Sequence, residues 1–191
     1  MMDMDDVNTG NMNIDNLKHY ISQDYKDWDA LSFNRKNYYD IWALSIEPYI
    51  LSCWHWENFW KDSTHITKKT KEYITSKLST LSKDELLDCY SAFNGFSLYK
   101  INKFINCRYE WNINKNIELW DRELLENNLK AVNKKFMIID TEKYTCEEDY
   151  IKNRQYNLVI KRIEDCEHRY FHLSAIKKNK AKIKISPLII F

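Results

Sequence analysis

The amino-acid sequence predicts an α+β fold, with about six mostly antiparallel helices over residues 13–133 followed by a small antiparallel β-meander over residues 136–190. Three observations lead to this prediction. Through residues 13–133, apolar residues recur at intervals of three and four, which is the spacing of one helix face. Beyond residue 134, β-branched and aromatic residues become dense, as they are in strands. Only two glycines and two prolines occur in 191 residues, which favours helices joined by short polar turns.

Composition excludes several classes of function. The shortage of glycine leaves no GxGxxG, GxxxxGK[ST] or GxSxG motif, so Rossmann and P-loop nucleotide-binding folds and α/β-hydrolases are not expected. We expect no cofactor, because a tight cradle for a phosphate group needs glycine backbone. The formal net charge of +1 provides no overall field that would attract nucleic acid or lipid.

The cysteines and the apolar runs bear on the cellular compartment. Five cysteines are scattered without a CxxC pair, which indicates free thiols in a reducing cytoplasm. Residues 1–12 contain no apolar run of the kind found in secretion signals, and no stretch of about 18 apolar residues predicts a membrane span. The sequence therefore predicts a soluble, cytoplasmic protein with no membrane partner.

Three regions are expected along the chain. Residues 1–12 are predicted to be a disordered head, residues 13–134 a helical domain with an aromatic core, and residues 135–191 a small β-rich region packed on that domain. The centre of the helical domain is Tyr38–Trp60, which holds four of the seven tryptophans. Because apolar residues cover both faces of this stretch, we expect two buried helical pieces that meet at Pro48.

The other helices are predicted from their apolar faces and their ends. Ser82-Lys-Asp-Glu85 is a capping box, and Gly95 stands where a helix C-terminus favours a left-handed residue, so a helix is predicted over residues 83–94. Residues 29–36 are expected to be a connector. Four further helices are predicted over residues 13–28, 64–81, 97–109 and 117–133.

The C-terminal region admits two interpretations. We expect strands over residues 136–139, 156–163, 169–176 and 181–186, and a short helix over residues 145–153. In the last strand, the alternation places Lys182 and Lys184 outward and Ile183 and Ile185 inward. The alternative is a helix, because Val159, Ile163, Cys166, Tyr170 and Leu173 are spaced by four and three residues.

A metal site is the first candidate for chemistry, formed by Cys166, His168 and His172. On a strand, alternate residues share one face, so the thiol and both imidazoles would project together. On a helix, His168 and His172 would be neighbours one turn apart, a familiar spacing for two metal ligands. No fourth ligand lies close in the sequence, and an exposed face of polar side chains explains the same pattern.

A basic cluster is the second candidate. Five lysines stand within eight residues without arginine or interleaved aromatic rings: Lys177, Lys178, Lys180, Lys182 and Lys184. Such a cluster can neutralise nucleic-acid phosphates without reading bases. Lysines on an edge strand also guard against aggregation between sheets, and the near-zero net charge favours this second role.

The tryptophans lead to the function that the sequence favours. Trp28, Trp111 and Trp120 lie beside polar residues, so we expect them to be partly exposed, and tryptophan is enriched in protein–protein contacts. The sequence therefore predicts a protein-binding module that acts through its surface, such as an immunity or inhibitor protein that neutralises a protein partner. Two alternatives remain: a nucleic-acid-associated protein that uses the lysine cluster, and a small metal-dependent or carboxylate hydrolase.

Overall fold

The computed structural model describes residues 1–3, 8–21, 27–51, 59–131 and 165–191. In these residues five α-helices and four strands form an α+β fold. The helices are α1 (Ile14–Ile21), α2 (Phe59–Ser79), α3 (Ile113–Ile117), α4 (Arg122–Ala131) and α5 (Glu167–Asn179). The strands are β1 (Ala30–Asn34), β2 (Leu87–Cys89), β3 (Ser97–Tyr99) and β4 (Ile183–Ile189). A 3₁₀ helix spans Ile101–Lys103.

The sheet is mixed, so the predicted antiparallel meander is wrong. Its strand order is β2-β4-β1-β3. Strands β1 and β4 are parallel, with Ala30 opposite Ile183, whereas β2 pairs antiparallel with β4 and β3 pairs antiparallel with β1. The last strand of the chain is therefore central in the sheet. The strand predicted at residues 181–186 is confirmed, but it has no antiparallel hairpin partner before it in the sequence.

Helices cover both faces of the sheet. Side chains alternate between faces along a strand, and Leu31 and Phe33 of β1 pack with Tyr20 of α1. On the opposite face, Ala30 and Ile183 pack with α5. The connector predicted at residues 29–36 contains β1 instead, because its side chains from Ala30 to Phe33 are all buried between these two layers.

The aromatic stretch after β1 is buried but not helical in its described part, residues 38–51. Burial was predicted correctly: Tyr38, Leu44 and Ile50 belong to the largest core cluster. The helical piece predicted before Pro48 is wrong, because the backbone of Ser45 pairs with another segment of the chain. The Ser45 N–H donates to Ser91 O over 2.8 Å, and Ser45 O accepts from the Tyr90 N–H at the same distance. Residues 52–58 lie outside the described part.

The capping-box sequence closes a turn rather than starting a helix. The Ser82 N–H donates to the Glu85 carboxylate over 2.9 Å, which is half of a capping box. The helix predicted over residues 83–94 is wrong, since Leu87–Cys89 pairs with β4. Gly95 has the positive φ that was expected of it, +83°, but it lies in a turn before β3.

Of two other predicted helices, one is confirmed and the other is wrong. The helix predicted at residues 64–81 is confirmed as α2, with Ile74 and Leu78 on its buried side. The helix predicted at residues 97–109 is wrong, because β3 and the 3₁₀ helix occupy this stretch. Ile101 and Ile105, which the helical spacing placed inward, are 76% and 71% exposed.

The remaining predicted elements have mixed outcomes. The first predicted helix appears as α1, with Asn13 Oδ1 accepting the Asn16 N–H at its start. In the range of the sixth, the chain forms α4 and the end of α3. The strand at residues 169–176 is wrong, and the alternative helix is confirmed there as α5. The elements predicted at residues 136–139, 145–153 and 156–163 lie outside the described residues.

The two ends of the chain meet the same sheet region. Met2 forms a bridge with Phe96, and the Asp3 N–H donates to Gly95 O. The predicted boundary between residues 134 and 135 lies outside the described residues, and strands from both sides of it pair in one sheet.

Among the described helices, none combines the length and hydropathy that a bilayer crossing requires.

The central position of β4 gives a stability prediction. Ile185 is fully buried, whereas Ile189 of the same strand is 37% exposed. Ile185→Ala leaves a cavity in the core and is expected to cost roughly 2–5 kcal/mol of unfolding free energy. The control Ile189→Ala is expected to cost less than about 1 kcal/mol. Urea unfolding of both variants measures the difference, and equal costs would contradict the central placement.

Candidate functional site

A buried ion pair organises the start of α5. Arg169 is fully buried, and its guanidinium bonds to the Asp165 carboxylate. The same guanidinium donates to Ser45 Oγ over 2.6 Å and to the carbonyl oxygens of Trp42 and Leu44 over 2.6 and 3.2 Å. These bonds attach α5 to the buried segment of residues 38–51.

Asp165 connects the start of α5 to α3 and to the backbone at Trp111. Its carboxylate accepts from Asn116 Nδ2 of α3 over 2.6 Å and from the Cys166 N–H over 2.7 Å. Its own backbone N–H donates to Trp111 O over 2.6 Å. A buried charge is tolerated when it is paired and hydrogen-bonded in this way, so the geometry of residues 165–169 is tightly specified.

Three ligand-type side chains converge at this helix start: Cys166, Glu167 and His168. Their ligand atoms lie within 4.8 Å of one another. His168 Nδ1 is 4.0 Å from Cys166 Sγ and 3.6 Å from Glu167 Oε1. The imidazole stacks on the Phe93 ring at 4.1 Å between centroids and meets the Tyr109 ring edge-on at 5.3 Å. The ring is therefore held in place by packing as well as by its polar neighbours.

Burial and the contact between Glu167 and His168 set the electrostatics of this cluster. Burial raises the pKa of the Cys166 thiol well above its ordinary value, whereas a nucleophilic cysteine needs a lowered pKa and access to substrate. The hydrogen bond with His168 lowers the pKa of Glu167. His168 Nε2 is buried and has no hydrogen-bond partner among the described residues.

The third predicted metal candidate, His172, does not join this cluster. One turn further along α5, its Nδ1 lies 2.9 Å from Ser91 Oγ and its Nε2 lies 3.0 Å from the Tyr99 hydroxyl. Burial lowers the pKa of His172 well below its ordinary value, with further contributions from His168 and Arg169. Both ring nitrogens are thus engaged by hydroxyl groups. The third ligand-type side chain beside Cys166 and His168 is therefore Glu167, and not His172 as the sequence predicted.

An exposed apolar surface extends along α5, from Tyr109 near the start of the helix to Lys103 at its C-terminal end. We call Ile101, Ile105, Tyr109 and Trp111 the 101–111 surface; their exposed fractions are 76%, 71%, 41% and 56%. The segment is anchored from below, because Phe104 is buried and its ring lies 5.0 Å from that of Phe171 on α5. The Tyr109 ring stacks on the same Phe171 ring at 4.7 Å.

The three tryptophans expected at a partner surface have different environments. Trp111 is exposed, as expected, but the expected partial exposure of Trp28 and Trp120 is wrong, since they are 6% and 8% exposed. Trp28 lies under the Lys100 ammonium, 4.8 Å from its ring centroid, and Trp120 packs edge-on against Tyr90. Their polar sequence neighbours misled the prediction because neighbouring side chains point in different directions.

The five lysines do not form a basic hairpin. Lys177 and Lys178 lie on α5, and Lys180 is its left-handed C-cap. Lys182 directly precedes β4, and Lys184 lies within it. Lys184 is only 7% exposed, so the expected outward position is wrong for it. Its ammonium pairs with Asp27 and Asp88, and that of Lys182 also pairs with Asp27. These carboxylates lower the positive potential that a phosphate backbone would meet.

An open groove lies between α2 and the β2 edge of the sheet. It encloses about 500 Å³ and is lined mainly by tyrosines and aliphatic side chains, among them Tyr73, Leu87, Tyr90 and Ile176. Glu47 at its rim accepts a hydrogen bond from the Tyr90 hydroxyl over 2.8 Å. The groove is separate from the ligand-type cluster at the start of α5.

Comparison with known proteins gives no relative: no family model, curated protein or solved structure matches the chain. The functional argument therefore depends on the geometry of the sites themselves.

The buried ion pair leads to a prediction about stability. Arg169→Met removes the buried positive charge that is bonded to the Asp165 carboxylate, and breaking a buried pair in this way is expected to cost roughly 3–5 kcal/mol of unfolding free energy. The control is Arg122→Met, because Arg122 also pairs with an acid four residues away but its side chain is 92% exposed. That control is expected to stay within about 0.5 kcal/mol of the parent protein. Chemical denaturation measures both; similar values would refute the structural role of Arg169.

The buried imidazole of His172 predicts a pH dependence. The folded protein keeps His172 neutral below the ordinary pKa of 6.5, where the unfolded chain binds a proton. Stability is therefore expected to fall as the pH drops below about 6.5, by at most about 1.4 kcal/mol per pH unit from this group. Unfolding experiments at pH 7.5 and pH 5.5 measure the loss. His172→Gln lacks this group, so its loss should be smaller, and an identical loss would contradict the prediction.

Proposed function

We propose that this chain is a protein-binding module, and that the 101–111 surface docks on a partner protein whose contact face has an apolar centre and an acidic rim. The observation that carries the proposal is the exposure of four large apolar side chains on one short, anchored segment. Single exposed apolar residues are ordinary, whereas four of them within eleven residues of one segment are a concentration that suits an interaction site.

The composition of this surface suits a partner contact. Tyrosine and tryptophan combine a large apolar area with a polar group and dominate the energetics of protein interfaces. Tyr109 and Trp111 provide these anchors, and Ile101 and Ile105 extend the apolar area with side chains more than two-thirds exposed. At such positions polar residues would cost the fold nothing, so burial in the isolated chain does not explain the two isoleucines.

The segment is also held in place before any partner arrives. Asn179 Nδ2 donates to Lys103 O over 2.7 Å, and Lys178 Nζ donates to Asn106 O over 3.3 Å. These contacts attach the segment to the C-terminal end of α5, while Phe104 anchors it in the core. A surface that is ordered in advance loses less conformational entropy on binding.

The charges around the surface select the partner's chemistry. Lys103 and Lys178 are brought to its border by the contacts with α5, and Lys180 follows at the helix end. Arg108 adds an exposed cation within the segment. Basic groups around an apolar centre accelerate association with an acidic rim and disfavour basic partners. The lysines singled out in the sequence therefore serve a protein contact in this proposal, of the kind made by immunity and inhibitor proteins.

A matched pair of variants tests the proposal. Ile105→Asp places a charge in the centre of the 101–111 surface and is expected to weaken binding of the partner by at least about 30-fold. The control is Ile21→Asp, because Ile21 of α1 is 59% exposed and lies outside this surface. The partner is first captured from the encoding organism on the immobilised protein, then purified, and the affinities are measured by calorimetry.

The salt dependence provides a second readout of the same complex. Lys178→Glu is expected to slow association at low salt and to have little effect at high salt, because exposed charges are screened. Loss of binding in Ile21→Asp but not in Ile105→Asp would refute the proposed surface. Self-association of the purified chain that Ile105→Asp abolishes would identify a second copy of this chain as the occupant, and would equally refute an acidic partner.

A further inference from the structure

We propose that Cys166, Glu167 and His168 bind one divalent transition-metal ion, with zinc as the ion that fits the ligand set best. This inference is independent of the protein-binding proposal, since it depends on the side chains at the start of α5 and not on any partner.

The distances between the ligand atoms fit a single small ion. Tetrahedral zinc, with bonds of about 2.3 Å to sulfur and about 2.0–2.1 Å to nitrogen and oxygen, holds sulfur and nitrogen roughly 3.6 Å apart and nitrogen and oxygen roughly 3.3 Å apart. The corresponding separations are 4.0 Å from Cys166 Sγ to His168 Nδ1 and 3.6 Å from Glu167 Oε1 to the same nitrogen. These two pairs need to contract by a few tenths of an ångström. The third pair, Cys166 Sγ and the Glu167 carboxylate, lies within 4.8 Å and has to close to roughly 3.6 Å, which requires a movement of the half-exposed Glu167 side chain.

The backbone explains how three consecutive residues reach one point. Cys166 is the N-cap of α5, with extended φ and ψ of −65° and 120°, and its side chain makes no capping bond. The thiol is therefore not engaged with the helix backbone. The neighbouring Asp165–Arg169 pair ties this turn to the core, so little chain ordering is left for the metal to bring about.

The imidazole can present Nδ1 to an ion. Which nitrogen of a histidine ligates a metal is set by the hydrogen bond of the other nitrogen. Nδ1 of His168 is the nitrogen that faces Cys166 Sγ and Glu167 Oε1, at 4.0 and 3.6 Å, so an ion bound there would replace a proton on Nδ1 and leave the remaining proton on Nε2. The ring is held by stacking on Phe93 and by the edge contact with Tyr109, both of which leave Nδ1 turned toward Cys166 and Glu167.

The chemistry of the ligands selects the ion. A thiolate and an imidazole favour zinc, cobalt and copper over magnesium and calcium, which prefer oxygen ligands. The Cys166 side chain is buried and a dication supplies the positive charge that a buried thiolate needs, since coordination deprotonates a thiol. Glu167, which is about half exposed, marks the side from which the ion enters. Three protein ligands leave the fourth tetrahedral position to a water molecule or to a group from outside the site.

Cobalt(II) is the probe that distinguishes metal binding from a hydrogen-bonded chain of the same three side chains. The full-length protein, freed of metal by dialysis against a chelator, is titrated with cobalt(II) under reducing conditions. We expect a thiolate-to-cobalt charge-transfer absorption in the near ultraviolet that saturates at one equivalent and disappears when zinc is added. Cys166→Ser is expected to abolish the band, and His168→Gln to weaken cobalt binding by at least about tenfold.

Three of the other four cysteines provide the matched control, and Cys89 of β2 is kept in it. The variant Cys53→Ser/Cys107→Ser/Cys146→Ser keeps Cys166 and is expected to retain the band at full intensity. Because Cys166→Ser places a hydroxyl in the core, its far-ultraviolet circular dichroism is compared with that of the parent. His168→Gln adds a readout that does not need the serine variant: zinc at 100 times its dissociation constant should raise the melting temperature of the parent by roughly 5–10 °C, and that of His168→Gln by much less. Absence of a saturable one-equivalent band, its survival in Cys166→Ser, or its loss in the triple variant would each overturn the proposal.

Discussion

Arg169 brings a full positive charge into the interior of the protein. The positions of the ligand-type cluster and of the 101–111 surface depend on how that charge is compensated. The Asp165 carboxylate neutralises it, and Ser45 together with two carbonyl oxygens accepts three further hydrogen bonds from the guanidinium. Since an unpaired buried charge is strongly destabilising, few alternative positions are open to α5. The helix start is thereby held against the segment of residues 38–51, and Cys166, Glu167 and His168 take their positions from it.

The same helix determines where the 101–111 surface lies. Its middle supplies Phe171, on which Phe104 and Tyr109 pack, and its C-terminal end supplies Asn179, which holds Lys103. One element of thirteen residues therefore supports a ligand-type cluster at one end and the 101–111 surface along its length. One helix can support both features because its side chains point in several directions, whereas those of a strand point to only two faces.

Sequence reasoning succeeded where local signals and the final structure agree, and failed where long-range pairing decides. The amphipathic spacing of α2 and the alternation of apolar and polar residues in β4 identified both elements, although the first four residues of β4 are buried on both faces of the sheet. Ser82 and Glu85 carry a helix-start signal and do form its hydrogen bond, yet Leu87–Cys89 pairs with β4, almost one hundred residues later in the chain. Periodicity contains no information about such a partner, and the burial of β1 on both faces removed the alternation that would have identified it.

At the candidate site, too, the sequence identified the residue types but not how the fold groups them. Cys166 and His168 were recognisable as residue types, but their grouping depended on the choice between strand and helix. A strand joins Cys166, His168 and His172 on one face and turns Glu167 away, whereas a helix start brings Glu167 in and sends His172 one turn deeper, to Ser91 and Tyr99. Tyr109, which belongs to the 101–111 surface, contacts His168. An ion that tightens the cluster would therefore act on an aromatic side chain of the proposed partner surface, so metal content and partner affinity belong in the same experiment.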